Sequence, residues 1–149
     1  MKFLLIIPIL ITAIALFMVV KNVQMPMGLG VKDGKLADLP KSPNAVSSFT
    51  EDPKKRVEPL QFKTSLSDAK ERIKKALLAY GDIEIKSETD NYIYAVSSTS
   101  MMRYHDDLEF LFDEKNGVVH FRSASRVGYS DMGMNRKRYD RIAQLFDNN

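Results

Sequence analysis

Two stretches of this chain hold most of the side chains that could do chemistry. His105-Asp106-Asp107-Leu108-Glu109 sets one imidazole beside three carboxylates. The second, RSASRVGYSDMGMNRKRYDR from Arg122 to Arg141, gathers five Arg, one Lys and three Ser with little that belongs in a core. Three chemistries are open to these residues. Alternate strand positions share a face, so His105, Asp107 and Glu109 could offer an imidazole and two carboxylates to a divalent ion. Ser123 and Ser125, each followed or preceded by arginine, could serve a hydrolase. Arg126, Ser130, Asn135, Arg136 and Arg138 could bind an anion where a glycine-containing loop opens a helix, since the first N–H groups of a helix have no partners within it. Gly128 and Gly133 would let the loop backbone come close to such a ligand.

Each reading meets an objection. No G-x-S-x-G elbow surrounds either serine, and His105 and His120 fall far apart along any sheet that pairs their strands. A cation between Asp107 and Glu109 would be repelled by Arg122 and Arg126 on the same face, so no metal is assigned. Arg136-Lys137-Arg138 reads first as a solvated run. It also opposes the helix macrodipole, which makes an acid or an anion there favourable; Asp131 is placed to cap that helix. With 22 bases and 19 acids the net charge is +3, and Lys2 and Lys21 supply two of those bases. What remains gives no general drive toward nucleic acid. The chain has no cysteine, which removes disulfides, thiolate nucleophiles and cysteine-bound zinc.

The elements that must position these groups follow from periodicity. Leu66, Ala69, Ile73, Ala76, Leu77 and Tyr80 recur at spacings of three and four, a helical stripe capped by Ser65 with Asp68 and stopped by Gly81. Ile83 and Ile85 alternate with polar residues, and YIYAVSS from Tyr92 is aromatic and β-branched. Leu108, Phe110 and Phe112 alternate, as do Val119 and Phe121. A last amphipathic helix carries Tyr139, Ile142, Leu145 and Phe146. The fold class is α+β: an antiparallel sheet of about four strands with two helices on one face. Asn116-Gly117 predicts a two-residue type I′ hairpin. That register pairs Phe112 with Phe121, Phe110 with Ser123, Leu111 with Arg122 and Asp107 with Arg126. Asp107, Glu109, Arg122 and Arg126 then form a cross-strand ladder of charge on the face opposite the aromatic residues.

The amino terminus is of another kind. From Phe3 to Val20 no residue is charged, and Lys2 and Lys21 flank the run. Eighteen helical residues span roughly 27 Å, close to the hydrocarbon thickness of a bilayer. Ala13-Ile14-Ala15 has the form of a cleavage site but lies inside the run, so residues 1–21 read as an uncleaved signal-anchor with residues 3–20 in the bilayer. Lys21, Lys32 and Lys35 follow the span, and the positive-inside count does not favour a cytoplasmic start; the signal-anchor form puts the domain on the extracytoplasmic side. Residues 22–59 contain scattered Pro and Gly without sustained periodicity and read as an extended tether; residues 60–149 make the domain.

SPNAVSS, DDLEF and FRSASRVGYSDMGMNRKRYDRI closely resemble the bacterial and plastid family of domain of unknown function 1499, from about Leu39 to Leu145. The resemblance implies a small membrane-anchored or exported protein and assigns no activity. The family pattern often carries cysteines on either side of Ser-Pro-Asn. Leu39 and Ala45 stand there in this chain, so no disulfide or metal role is carried over.

The chain therefore reads as a single-pass, membrane-tethered protein of the cell envelope. Its domain reads as a non-enzymatic binding or structural module without a cofactor, whose partner is a protein or an anionic small molecule. The alternative is a hydrolase-like or metal-assisted enzyme using the HDDLE and SASR segments.

Overall fold

The computed structural model describes residues 2–99 and 103–148, with side chains from Ile6 onward. Met1 and Asn149, the outer bounds of the expected segments, lie outside the described residues, as do the side chains of Phe3 to Leu5 at the start of the expected span. Helix α1 runs Lys2–Val23, and its window Ile6–Val23 is long and apolar enough to cross a membrane. A signal sequence has the same length and composition. No part of that window is buried against the rest of the protein. A helix apolar on every side, which meets the domain at its last turn, has the character of a membrane span or a signal sequence.

The domain is α+β. Short strands β1 (Val31–Lys32), β2 (Lys35–Leu36), β3 (Ala45–Ser47) and β4 (Leu60–Gln61) precede helix α2 (Leu66–Tyr80). Strands β5 (Ile83–Glu88), β6 (Tyr92–Ser98), β7 (His105–Asp113) and β8 (Val118–Ser125) follow, and then helix α3 (Met134–Asp147). β3, β8, β7, β6 and β5 lie in that order in an antiparallel sheet, with β4 also paired to β8. Six strands stand where four were expected, because β3 and β4 are too short to alternate visibly in sequence.

The helices take one face of the sheet. Ala69, Ile73, Ala76 and Leu77 of α2 and Ile142 and Phe146 of α3 bury against Ile93, Ala95, Leu108, Phe110, Phe112, Val119 and Phe121. α2 begins where Ser65 Oγ accepts the Asp68 N–H at 3.1 Å and ends at Gly81, whose φ is 80°. Arg72 reaches across to the end of α3, donating to the Phe146 carbonyl from Nε at 3.2 Å and Nη2 at 2.6 Å.

The other face is covered too. The stretch 22–59, expected as an extended tether, folds back onto it. β3 pairs with β8, and Leu36, Leu29 and Phe49 pack on Tyr92, Tyr94, Val96 and Leu111. Over β6, β7 and β8 the sheet is buried on both faces, which leaves the charged positions of those strands without solvent, so they must be paired.

The β7–β8 hairpin departs from its expected register. Phe110, not Phe112, faces Phe121, with ring centroids 5.1 Å apart, and Phe112 faces Val119. Asp113 is the cause. Its carboxylate accepts the Asn116 main-chain N–H at 3.1 Å and side-chain amide at 2.5 Å, which widens the turn to residues 114–117. Only Gly117, at φ 64°, then needs the left-handed region. The shift is by two residues in pairing, so every side chain keeps its face. The type I′ geometry belongs instead to Asp33-Gly34, with φ of 52° and 74°, between paired Lys32 and Lys35.

Candidate functional site

Alternation along β7 and β8 divides the polar residues of the two stretches between opposite faces. Asp107 and Glu109 of β7 point away from the helices, with Arg122 of β8 and Arg126 just beyond it. Arg122 faces Glu109 directly, and Nη1 donates to Glu109 Oε2 at 2.8 Å. Glu109 is wholly buried, and its Oε1 accepts the Tyr92 hydroxyl at 2.8 Å and the Gly30 N–H at 2.7 Å. Asp107 accepts from Arg126 through Nε at 3.0 Å and Nη2 at 2.8 Å, and from the Tyr94 hydroxyl at 2.6 Å. Burial, and then the neighbouring carboxylates, hold both tyrosine hydroxyls well above their ordinary pKa, so they remain donors. Each acid is thus saturated by a cation, a phenol and, for Glu109, a main-chain N–H.

Arg126 has a further role. Its Nη1 donates to the carbonyls of Asn22 at 2.9 Å and Val23 at 3.3 Å, the final turn of α1. Asn22 returns the contact: Oδ1 accepts the His105 N–H at 2.9 Å, Nδ2 donates to the Arg103 carbonyl at 2.8 Å, and its own carbonyl lies 2.9 Å from His105 Nδ1. A cation on the open carbonyls of a helix end is a favourable cap. His105 therefore serves the junction with α1.

The helix-facing side carries a second network that the sequence did not disclose. Asn135, fully buried at the start of α3, is its hub. Oδ1 accepts from Ser123 Oγ and from Arg138 Nη1, the latter at 2.8 Å. Nδ2 donates to the Asn44 carbonyl at 3.0 Å, Ser125 Oγ at 3.0 Å and Asp131 Oδ2 at 2.8 Å. Arg138 Nη2 reaches Asp106 Oδ2 at 2.6 Å in a buried ion pair. Asp131 also accepts the Gly133 and Asn135 N–H groups at 3.0 and 2.7 Å, serving the helix start from two residues ahead of it.

The five residues expected to form an anion pocket are therefore not gathered. Arg126 lies on the face away from the helices; Asn135 and Arg138 lie on the helix-facing side. Arg136 extends to the carbonyls of Lys54 and Arg56 at 3.1 and 2.7 Å, and Ser130 Oγ accepts the Met132 N–H at 3.2 Å. Ser123 and Ser125 are bonded to Asn135. The serine that does meet a histidine is Ser48, with Oγ 3.2 Å from His120 Nδ1, under the stacked ring of Phe49. Its Oγ also accepts the Phe121 N–H at 3.0 Å, and among the described residues no carboxylate hydrogen-bonds to His120.

One opening meets these networks. A cleft of about 500 Å³ lies between the ladder face and residues 24–40, and its lining includes Lys21, Asp38, Asp107, Arg122 and Arg126. Met25, Met27, Leu29 and Leu39 give it apolar walls. Arg122 on that lining is the least satisfied group of the ladder. A guanidinium brings five N–H donors. Only Nη1 has an acceptor among the described residues, and Nε is buried with none.

The family described as protein of unknown function (DUF1499) matches residues 35–146. No curated protein and no solved structure matches the chain. The matched span holds the ladder side chains and the Asn135 network, while Asn22, Val23 and Gly30 precede it, and the chain belongs to that family.

Proposed function

We propose that this DUF1499 protein is a membrane-tethered module of the cell envelope that binds a small ligand and catalyses nothing, with its ligand in the cleft between the ladder face and residues 24–40. Arg122 carries the reading: a buried cation on the cleft lining whose guanidinium is mostly without acceptors. Its Nη2 has no acceptor among the described residues and is not fully buried, so a ligand in the cleft can accept from it. A cleft of this size, apolar with a few polar groups, suits a small molecule. The acids argue against acid–base work. A general base must be free to take a proton, and Asp107 and Glu109 are each fully engaged as acceptors. α1 supports the tether, with residues 3–20 in the bilayer, and the signal-anchor form supports an extracytoplasmic domain.

Two measurements test this. Carbonate-washed membranes should retain the full-length chain, and deletion of Met1 to Lys21 should release it. Solvent extraction of the purified full-length protein should yield a small molecule in amounts comparable to the protein. Substitution of Ala124 by Leu, which fills part of the cleft, should reduce that yield. A soluble full-length chain overturns the tether, and an extract without any ligand overturns the binding reading.

A further inference from the structure

We infer that the ligand of the cleft is an amphiphile drawn from the bilayer itself, with an oxyanion head of the phosphate type held at Arg122 and its chain along the methionine-lined wall. This rests on the binding reading above and adds the class of ligand. Four observations carry it. First, the cleft begins where α1 ends: Lys21, Gln24 and Met25 form part of its lining. With α1 spanning a bilayer, the opening lies at the level of the lipid headgroups. Second, the lining is amphipathic in the same sense as a lipid. Met27 is 99 % exposed and Met25 is more than half exposed, so two flexible thioether side chains stand at the rim. Unbranched and polarizable, methionine adapts to an apolar chain of no fixed shape. Third, three cations border the opening; Glu109 and Asp107 pair Arg122 and Arg126 within the fold, and Lys21 stands at the end of α1 on the same lining as Asp38. Fourth, Nη2 of Arg122 has no acceptor among the described residues and is not among the fully buried unpaired atoms, so on the cleft lining it is the donor a ligand can reach, and the planar arginine fork suits a phosphate or carboxylate. Arg126 is not the receptor, since Asp107 and the end of α1 already occupy it.

The test uses the full-length chain in mild detergent, with native mass spectrometry as the readout. Three probes are offered separately: phosphatidylglycerol, a diacylglycerol of the same chains without the phosphate, and inorganic phosphate. The expected result is one phosphatidylglycerol retained per chain, little diacylglycerol, and no displacement of the lipid by inorganic phosphate at equal concentration. Arg122→Lys keeps a cation for Glu109 while removing the fork. It should weaken lipid retention on the order of ten-fold, the loss expected for one hydrogen bond to a charged group. Met27→Glu, at an exposed rim position that leaves the fold intact, should weaken retention through the chain and its charge. Equal retention of diacylglycerol would show that no head is read and would overturn the inference. Displacement of the lipid by inorganic phosphate at equal concentration would overturn the amphiphile and leave a site for a free oxyanion, so the binding reading would survive. Retention unchanged in both variants would place the lipid elsewhere and overturn the inference. A wild-type protein that holds none of the probes, and yields no other small molecule on extraction, would overturn the binding reading as well.

Discussion

Arg126 Nη1 donates to the main-chain carbonyl of Asn22 at 2.9 Å while Nε and Nη2 of the same guanidinium hold Asp107. One side chain thus joins the apolar helix to the centre of the sheet. Replacing Arg126 by Ala leaves the Asp107 carboxylate buried with only the Tyr94 hydroxyl, and breaking a buried pair in this way costs about 3–5 kcal/mol. Thermal melts should show that loss. Limited proteolysis should show new cleavage between residues 24 and 40, because the end of α1 is released with it. Asp107→Asn in the Arg126→Ala background should recover part of the stability.

Arg138 gives the matching case on the helix-facing side. Its pair with Asp106 is buried, and Arg138 also donates to the Asn135 hub. Arg138→Ala should destabilise by about 3–5 kcal/mol for the same reason. Added sulfate should stabilise wild type and this variant equally, since both Nη atoms are engaged within the fold and the unpaired Nε is buried out of reach of an anion. A sulfate effect present only in wild type would return Arg138 to an anion-binding role.

Gly117 sits at φ 64°, and a Cβ there would lie 2.8 Å from the Phe62 carbonyl oxygen. The same carbonyl belongs to the residue whose N–H donates to Gly117 O at 2.8 Å. Gly117→Ala should therefore cost about 1–3 kcal/mol, combining left-handed strain with displacement of the chain beside β4. Denaturant midpoints would measure it. Asn116→Ala, which spares the backbone, should cost less.

His120 makes stability depend on pH. Burial holds its pKa below the ordinary value of 6.5, with Asp113 opposing the shift. The folded state prefers the neutral ring, so the contribution is present above the unfolded pKa and is lost as pH falls through the folded one. Melting temperatures should fall as pH drops through the unfolded histidine value of 6.5 and below it, and His120→Gln should flatten that slope. An equal slope in both proteins would assign it to other groups.

The face assignments were legible because strands alternate strictly. Leu108, Phe110 and Phe112 declare one side of β7, and Asp107 and Glu109 must then share the other. Register was not legible, because it depended on whether Asp113 would capture the Asn116 amide, and that capture adds two residues to the turn. Lys32-Asp33-Gly34-Lys35 carries the better type I′ signal, but its flanking strands are two residues each and show no alternation. The cover over the ladder left little trace. Leu29, Leu36 and Phe49 bury on the sheet at irregular spacing, and Gly30 binds Glu109 through its backbone, which no side-chain pattern records. The sequence places Asn135 among the residues of an anion pocket. Its function as a hub depends on Asn44, Ser123 and Ser125 converging from distant parts of the chain.

The pairing of β3 with β8 sets the order of events during synthesis. Ala45 must meet Ala124, and Ser47 must meet Arg122. A chain made from its amino terminus delivers α1 and the covering segment long before β8 exists. While the ribosome continues, residues 24–49 have no sheet to lie on, and Leu36, Val46 and Phe49 wait exposed. Once β7 and β8 have formed, Glu109 and Asp107 remain open to water until that early segment closes over them. The first part of the domain to be translated is thus the last to find its place.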